Sequence, residues 1–403
     1  MSIKQRSLTS KEETRINRCI QDRIQHFSPT IAPAPKNMEQ NEIESIRESL
    51  LYYLKRGVEQ VIIQPKFMGS YCDLYLDRDI EKSKFFSRNA YSINSRLIKP
   101  ELLIQKSQSI WNSFQKEWDQ GAKLIIVQAE LMPWSALGKG LITRDFGGYG
   151  ICHQSHANYL ATSELPIAIA KLMQSENFKS YLKDVAILSD KEISVKYPQH
   201  VIKQYEALRF VTLPNLTAYQ KALKLYHHQV EIYGQSGELY FQPFNWLKIV
   251  YEDREEINVD NLTGFQKVSD QPFLEINLKD ATIDTEFPEA YQFFDALVAR
   301  GMEGVVIKPR QVWLSETAPM FKVRNNNYLQ MIYGIRFQDD YDYYLERRKT
   351  GKKIKCSINE WNIAQSLLRI PMKEINNDNK DYYELIKTRI LEEDFEMTLD
   401  SRL

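Results

Sequence analysis

The amino-acid sequence predicts an α+β protein, and three observations carry that reading. Alternating or β-branched apolar runs recur at 61–63, 71–77, 123–131, 238–250 and 302–308, the patterns of half-buried and fully buried strands. Between the third and fourth of these, the chain from about 156 to 234 reads as helix almost throughout. From 358 onward the pattern is helical again, and it ends acidic.

The 403 residues, 43% of them hydrophobic, could form two or three domains with substantial cores. The 53 basic and 53 acidic residues cancel, which excludes a globally basic nucleic-acid binder and leaves only local basic surface. The first residues are polar, and no apolar run approaches the ~18 residues of a membrane span. A cytoplasmic protein without membrane contact is expected. Cys19, Cys72, Cys152 and Cys356 form no Cys-x-x-Cys pair, so reduced thiols are expected rather than a zinc ribbon or disulfides. His153 and His156 share a helical face, but without further ligands at metal spacing they read as structural.

In chain order, residues 1–28 are polar with helical patterning, and Ser28-Pro-Thr-Ile-Ala-Pro-Ala-Pro35 reads as an extended connector, so 1–38 is taken as an N-terminal arm. An amphipathic helix follows over 39–56, with Ile43, Ile46, Leu50 and Leu54 on one face and Gly57 as its stop. Val61–Ile63 is a short strand. From Tyr71, the apolar Cys72, Leu74 and Leu76 alternate with Asp73 and Asp77 as a second strand, so Lys66 sits in the connection, with Gly69 behind it. Helix is predicted over 100–118 and a buried strand over 123–131. That strand contains Glu130, a carboxylate costly to bury unless paired or hydrogen-bonded.

Helices over 166–173 and 217–233 belong to the helical stretch, and a strand over 238–250 carries Phe241 and Phe244 as competing aromatic candidates. A helix over 288–300, capped by Gly301, leads into the strand 302–308, with Lys322 and Arg324 beyond it. Arg347, Arg348, Lys349, Lys352, Lys353 and Lys355 then crowd one short stretch. Such a run is commonly a solvated face, and it also suits contact with a phosphate backbone.

Lys-x-x-Gly alone is a weak signal, equally at home in a surface hairpin. Its weight comes from the ordered set Lys66-Phe-Met-Gly-Ser70, Glu130-Leu-Met-Pro-Trp-Ser-Ala136, Glu303-Gly-Val-Val-Ile-Lys-Pro309 and Lys322-Val-Arg-Asn-Asn-Asn-Tyr-Leu-Gln-Met-Ile-Tyr-Gly334. From about Val58 to Lys355 this set resembles the ligase domain of the bacterial polynucleotide kinase-phosphatase-ligase RNA repair enzymes, within the covalent nucleotidyltransferase superfamily. The resemblance implies an adenylyltransferase core of ATP-grasp-like antiparallel sheets over 39–335. A helical insert at about 156–234 would interrupt it, and a basic, helical C-terminal module would occupy 336–403.

It also implies an ATP-dependent RNA ligase. Lys66 would become lysyl-AMP, the AMP would pass to an RNA 5′-phosphate, and a 3′-hydroxyl would displace it. Nucleotide contacts are implied for Gln64, Gly69, Ser70, Arg88, Glu130, Phe244 against the base, Glu303, Lys308, Lys322 and Arg324. Glu303 would also hold Mg²⁺ or Mn²⁺. The basic stretch from Arg347 to Lys355 would meet RNA. Implied partners are RNA with 5′-phosphate and 3′-hydroxyl ends, a 3′-end RNA methyltransferase, and separate kinase and phosphatase proteins, since no Gly-x-x-x-x-Gly-Lys-Ser/Thr loop is present.

A lysine attacks phosphorus only when neutral, and at a pKa near ~10.4 fewer than about one in a thousand is neutral at pH 7. Lys308, Lys322 and Arg324 are the cations expected to favour that form. Tyr71 stands where this family usually has arginine after Gly-Ser, and Met68 where DNA ligases and capping enzymes have aspartate. The alternatives are a GTP-using guanylyltransferase, whose barrel domain the short helical tail does not match, and a catalytically impaired RNA-binding scaffold.

Overall fold

The computed structural model describes residues 7–93, 98–136, 140, 142–213, 215–234 and 237–397. Ten strands are described: β1 Ala32–Pro33, β2 Gln60–Lys66, β3 Ser70–Asp77, β4 Lys84–Ser87, β5 Leu124–Met132, β6 Tyr240–Val250, β7 Glu255–Ile257, β8 Leu274–Asn277, β9 Gly304–Pro309 and β10 Phe321–Arg324. They form two five-stranded sheets, ordered β1-β10-β9-β2-β8 and β4-β3-β5-β6-β7. All pairings are antiparallel except β1 with β10.

The period of two decides what each sheet buries. In the first, Val61, Ile63, Val305 and Ile307 pack on helices Ile46–Leu54 and Pro288–Ala299. In the second, Cys72, Leu74 and Leu76 of β3 and Ile125, Val127 and Ala129 of β5 pack on helices Pro100–Asn112 and Gln115–Asp119. The intervening polar positions Tyr71, Gln128 and Glu130 therefore line a cleft together with Gln64, Lys66 and Lys308 of the first sheet.

The N-terminal segment does not stand apart as an arm. Helix Ser10–Gln21, closed by a Thr9–Glu12 capping box, buries Ile16, Cys19 and Ile20 against Tyr382, Ile386 and Ile390 of helix Lys380–Met397. Its extension then pairs as β1 with β10. Arm and C-terminal module thus share one core on the second sheet.

The helix expected over 39–56 begins only at Ile46. Asn37 and Glu42 exchange backbone hydrogen bonds in a tight turn, and Ser45 caps the helix by accepting from the Glu48 amide. The helix expected over 100–118 divides at Ser113 and Phe114 into two. The helical insert begins before 156, with helix Gly148–Thr162, and runs through Leu216–Gly234. Half of it packs Ala157, Tyr219, Leu223 and Tyr226 on Tyr328 and Met331, while Phe178, Tyr181, Ile193, Tyr205 and Leu208 form a core of their own.

Candidate active site

Lys66 ends β2, pairing in register with Gly304, the residue after Glu303. Its Nζ donates to Glu303 Oε2 at 2.9 Å, and the Glu303 side chain is only 2% exposed. Two glycines permit this meeting. A Cβ on Gly69 would lie 2.6 Å from Met132 Sδ and 2.9 Å from Glu130 Cβ, so only glycine lets the β2–β3 turn close onto β5. A Cβ on Gly304 would lie 2.0 Å from the Val323 carbonyl oxygen, so the Glu-Gly pair is set by the approach of β10.

Beyond Lys66 the cleft between the sheets encloses about 870 Å³, its open mouth included. The first sheet contributes Gln64, Val306 and Lys308, the second Tyr71, Gln128, Glu130 and Phe244, and Ser28, Ile31 and Trp361 close it from the two ends of the chain. Phe244 reaches it through a bulge: pairing runs from Gln128↔Asn245 to Ala129↔Pro243 and leaves Phe244 unmatched. Phe241 instead stacks on Phe85 inside the second sheet's core, with centroids 5.5 Å apart. The competition between the two phenylalanines is thereby resolved in favour of Phe244 as the cleft residue.

The charges in this cleft are incompletely satisfied. Lys308 is 4% exposed, lies 5.8 Å from the Phe244 ring centroid and has no ion-pair partner among the described residues. Burial pushes its amine down to about 7. Burial foremost pushes the Glu130 carboxyl up to about 7, with Glu303 adding and Lys66 opposing. Lys322 is not among the residues that line the cleft; burial, then the charges of Arg324 and Lys66, hold it well below the ordinary lysine range. The buried Gln64 amide Nε2 has no hydrogen-bond partner.

Tyr71, in the place of the family arginine, is integrated into a polar network on the cleft wall. Its hydroxyl donates to Asp73 Oδ1 at 2.6 Å and accepts from Gln128 Nε2 at 2.7 Å. His26 Nδ1 lies 2.9 Å from Asp73 Oδ2, and Gln128 Oε1 accepts from Asn245 Nδ2 at 3.2 Å. Sequence reading missed His26, Asp73, Gln128 and Asn245. For Asp73 and Gln128 the signal was present as polar residues at the inward positions of otherwise apolar strands.

Several expected contacts lie elsewhere. Arg324 does not line the cleft. Its guanidinium and backbone N–H bond Glu44, whose side chain is fully buried. Of the three cations expected near Lys66, Arg324 is thereby taken up by Glu44, whereas Lys322 and Lys66 do feel each other's charge; the direct hydrogen-bond partner of Lys66 is the Glu303 carboxylate. Arg88 donates to the Ser28 carbonyl and to Thr30 Oγ1 at 2.6 Å, pinning the N-terminal segment. Ser70 begins β3 opposite Leu131 and is not among the cleft-lining residues.

In the basic stretch, Arg348 is buried, donating to Glu44 Oε1 at 2.6 Å and Tyr333 Oη at 2.8 Å, and is corrected from RNA contact to structural pairing. Lys353 is likewise buried, because helix Gly351–Arg369 turns it inward, whereas Arg347, Lys349, Lys352 and Lys355 are exposed. His153 and His156 both bond the Tyr219 hydroxyl, at 2.5 and 3.4 Å. No group of three or more metal-ligating side chains occurs among the described residues. Glu303 and Glu130 beside Lys66 fit a cation that takes one or two carboxylates and completes its shell with phosphates and water. No helix among the described residues is long and apolar enough to cross a membrane.

A lysine at a strand end, bonded to a buried glutamate at the mouth of a cleft between two antiparallel sheets, defines a nucleotidyltransferase-type ligase core. The family described as PNKP adenylyltransferase domain, ligase domain matches residues 19–376, and the chain belongs to it. The chain is similar to one in a solved Pnkp1/Rnl/Hen1 complex, at 40% identity and a TM-score of 0.92, covering 98% of this chain and 100% of that one. A second structure, of the Pnkp1/Rnl/Hen1 RNA repair complex, matches at 41% identity and a TM-score of 0.90 over the same shares. A stretch of 204 residues, 49% of this chain, is 24% identical to Protein TIC 214 of Huperzia lucidula and spans 12% of that protein.

Proposed function

We propose that this protein is an ATP-dependent RNA ligase of RNA repair, joining 5′-phosphate and 3′-hydroxyl ends through lysyl-AMP on Lys66. The observation that carries the reading is the Lys66–Glu303 pair at the mouth of a cleft holding Phe244, the partnerless Lys308 and a carboxyl poised near neutrality. Its likeness to chains from Pnkp1/Rnl/Hen1 assemblies supports work beside a 3′-end RNA methyltransferase and separate kinase and phosphatase proteins.

In the first step Nζ of Lys66 bonds the α-phosphorus of ATP while the bond to the pyrophosphate oxygen breaks. Glu303 holds the amine in place, and Glu130, titrating beside it, takes the proton that the new P–N bond displaces. Lys308 and Lys322 face the phosphates, and Phe244 offers its ring to the adenine. Mg²⁺ or Mn²⁺ held by Glu303 would supply charge neutralisation on the phosphates.

The test is covalent labelling with α-labelled ATP or GTP in Mg²⁺ or Mn²⁺, read on a denaturing gel beside Lys66→Ala. Label from ATP that the variant loses completely is expected. Label from GTP would move the reading to capping. No label from either, with pre-adenylylated protein excluded by mass, would leave a non-catalytic RNA-binding role.

A further inference from the structure

The Lys66–Glu303 pair borders two cavities, and only one of them is the cleft described above. On its other side opens a groove whose walls include Trp134, Tyr233 and Tyr240, with the amides of Gln242 and Gln271 among them. Met68, Met132 and Met302 supply apolar floor, and the charged groups of its described lining are Lys66 and Glu303 themselves. Trp134 comes from the Glu-Leu-Met-Pro-Trp motif, directly after β5, and Tyr240 begins β6 opposite Met132. Tyr240 is 47% exposed. Among the described residues, neither it nor Trp134 has a ring partner or a side-chain hydrogen bond. Tyr233 is held edge-on to Tyr328, with centroids 5.3 Å apart.

We infer that this groove receives the unpaired terminal base of the RNA strand that takes AMP from Lys66, an inference that rests on the ligase reading above. A groove that followed phosphates would present lysines and arginines. This one presents aromatic faces, methionines and amides, the surface on which a splayed base stacks and offers its edges. Lys66 and Glu303, the charges of its described lining, pair with each other at its inner end, so the groove offers a running phosphate chain no free counter-charge, whereas a base finds faces to stack on. A base held in a duplex is already stacked and paired, and cannot enter. The groove's continuity with Lys66 identifies the strand, because the acceptor 5′-phosphate must reach the phosphorus bonded to Nζ.

The test is single-turnover AMP transfer from purified lysyl-AMP protein to three 5′-phosphorylated RNAs: an unpaired end, the same end base-paired, and an unpaired end whose terminal nucleotide is abasic. The unpaired intact end is expected to react at least about tenfold faster than either of the others. Trp134→Ala and Tyr240→Ala should each slow that substrate by about tenfold and the abasic one little, with the label formed from ATP retained and Trp134→Phe restoring most of the rate. Equal rates on intact and abasic ends would overturn the inference, as would variants that slow all three RNAs alike. So would variants with unchanged RNA use that instead lose association with a partner protein. If lysyl-AMP never forms, the ligase reading fails by itself. Filter binding of the same RNAs to the unmodified protein then decides the groove, and abasic ends binding as tightly as intact ones would exclude it.

Discussion

Two groups of charged side chains in this protein are shaped by burial, with opposite outcomes. Burial alone would raise the Glu44 carboxyl, yet the Arg324 and Arg348 guanidinium groups hold it at about 2. In the cleft, Lys308 has no counter-ion among the described residues and is pushed down to about 7, and Glu130 is pushed up to about 7. A buried charge with complete partners holds structure together, whereas one left incomplete is destabilising in the free protein and available to a ligand. The difference separates the groups that build this site from those that act in it.

The sharpest way to break that contrast is Glu44→Ala, which leaves two buried guanidinium groups without their anion and should cost about 3–5 kcal/mol in urea unfolding. In the wild-type protein the Glu44 contribution is complete above its ordinary value of 4.5 and is lost as pH falls toward about 2. A loss below about 1 kcal/mol would mean that pairing is not what distinguishes the two sites.

Lys308→Met should act in the opposite direction, raising stability by about 1–3 kcal/mol at pH 6 while sharply reducing label from ATP. The wild-type penalty is complete below about 7 and disappears as pH rises toward the lysine's ordinary 10.5, so the gain should shrink by pH 9. A destabilised Lys308→Met would show that the amine has a structural partner in solution.

Glu130→Gln should have the smallest effect, a gain of about 1 kcal/mol or less at pH 8, because the residue keeps partial contact with solvent, which screens its charge. The wild-type penalty is complete above about 7 and absent below the ordinary 4.5, so thermal denaturation curves of the two proteins should converge by about pH 4.5. A constant difference across that range would assign the effect to packing.

Much of the fold was legible because strand periodicity is local. β5, β6 and β9 fall within two residues of their expected starts, and the insert was visible as a break in alternation. Boundaries set by capping were not: Ser45 delays one helix, and Ser113 lies at the division of another. For the site, Lys66, Glu130, Glu303, Gln64, Lys308 and Phe244 were legible through the resemblance of their motifs to the ligase family and do line the two cavities that meet at Lys66. Arg324 and Arg348 were misplaced because a guanidinium in a basic motif and one in a salt bridge look alike until Glu44, some 280 and 304 residues away in the chain, is brought beside them.

By itself, then, the sequence determined the strands β2, β3, β5, β6 and β9, the helical insert and the glycine at 69, since these depend on periodicity and on the absence of a Cβ. Tertiary structure alone decided which charges are paired, that a bulge turns Phe244 rather than Phe241 into the cleft, and that both chain ends help close it. Those outcomes depend on which distant side chain arrives within about 3 Å, and burial then makes the presence or absence of that partner energetically decisive.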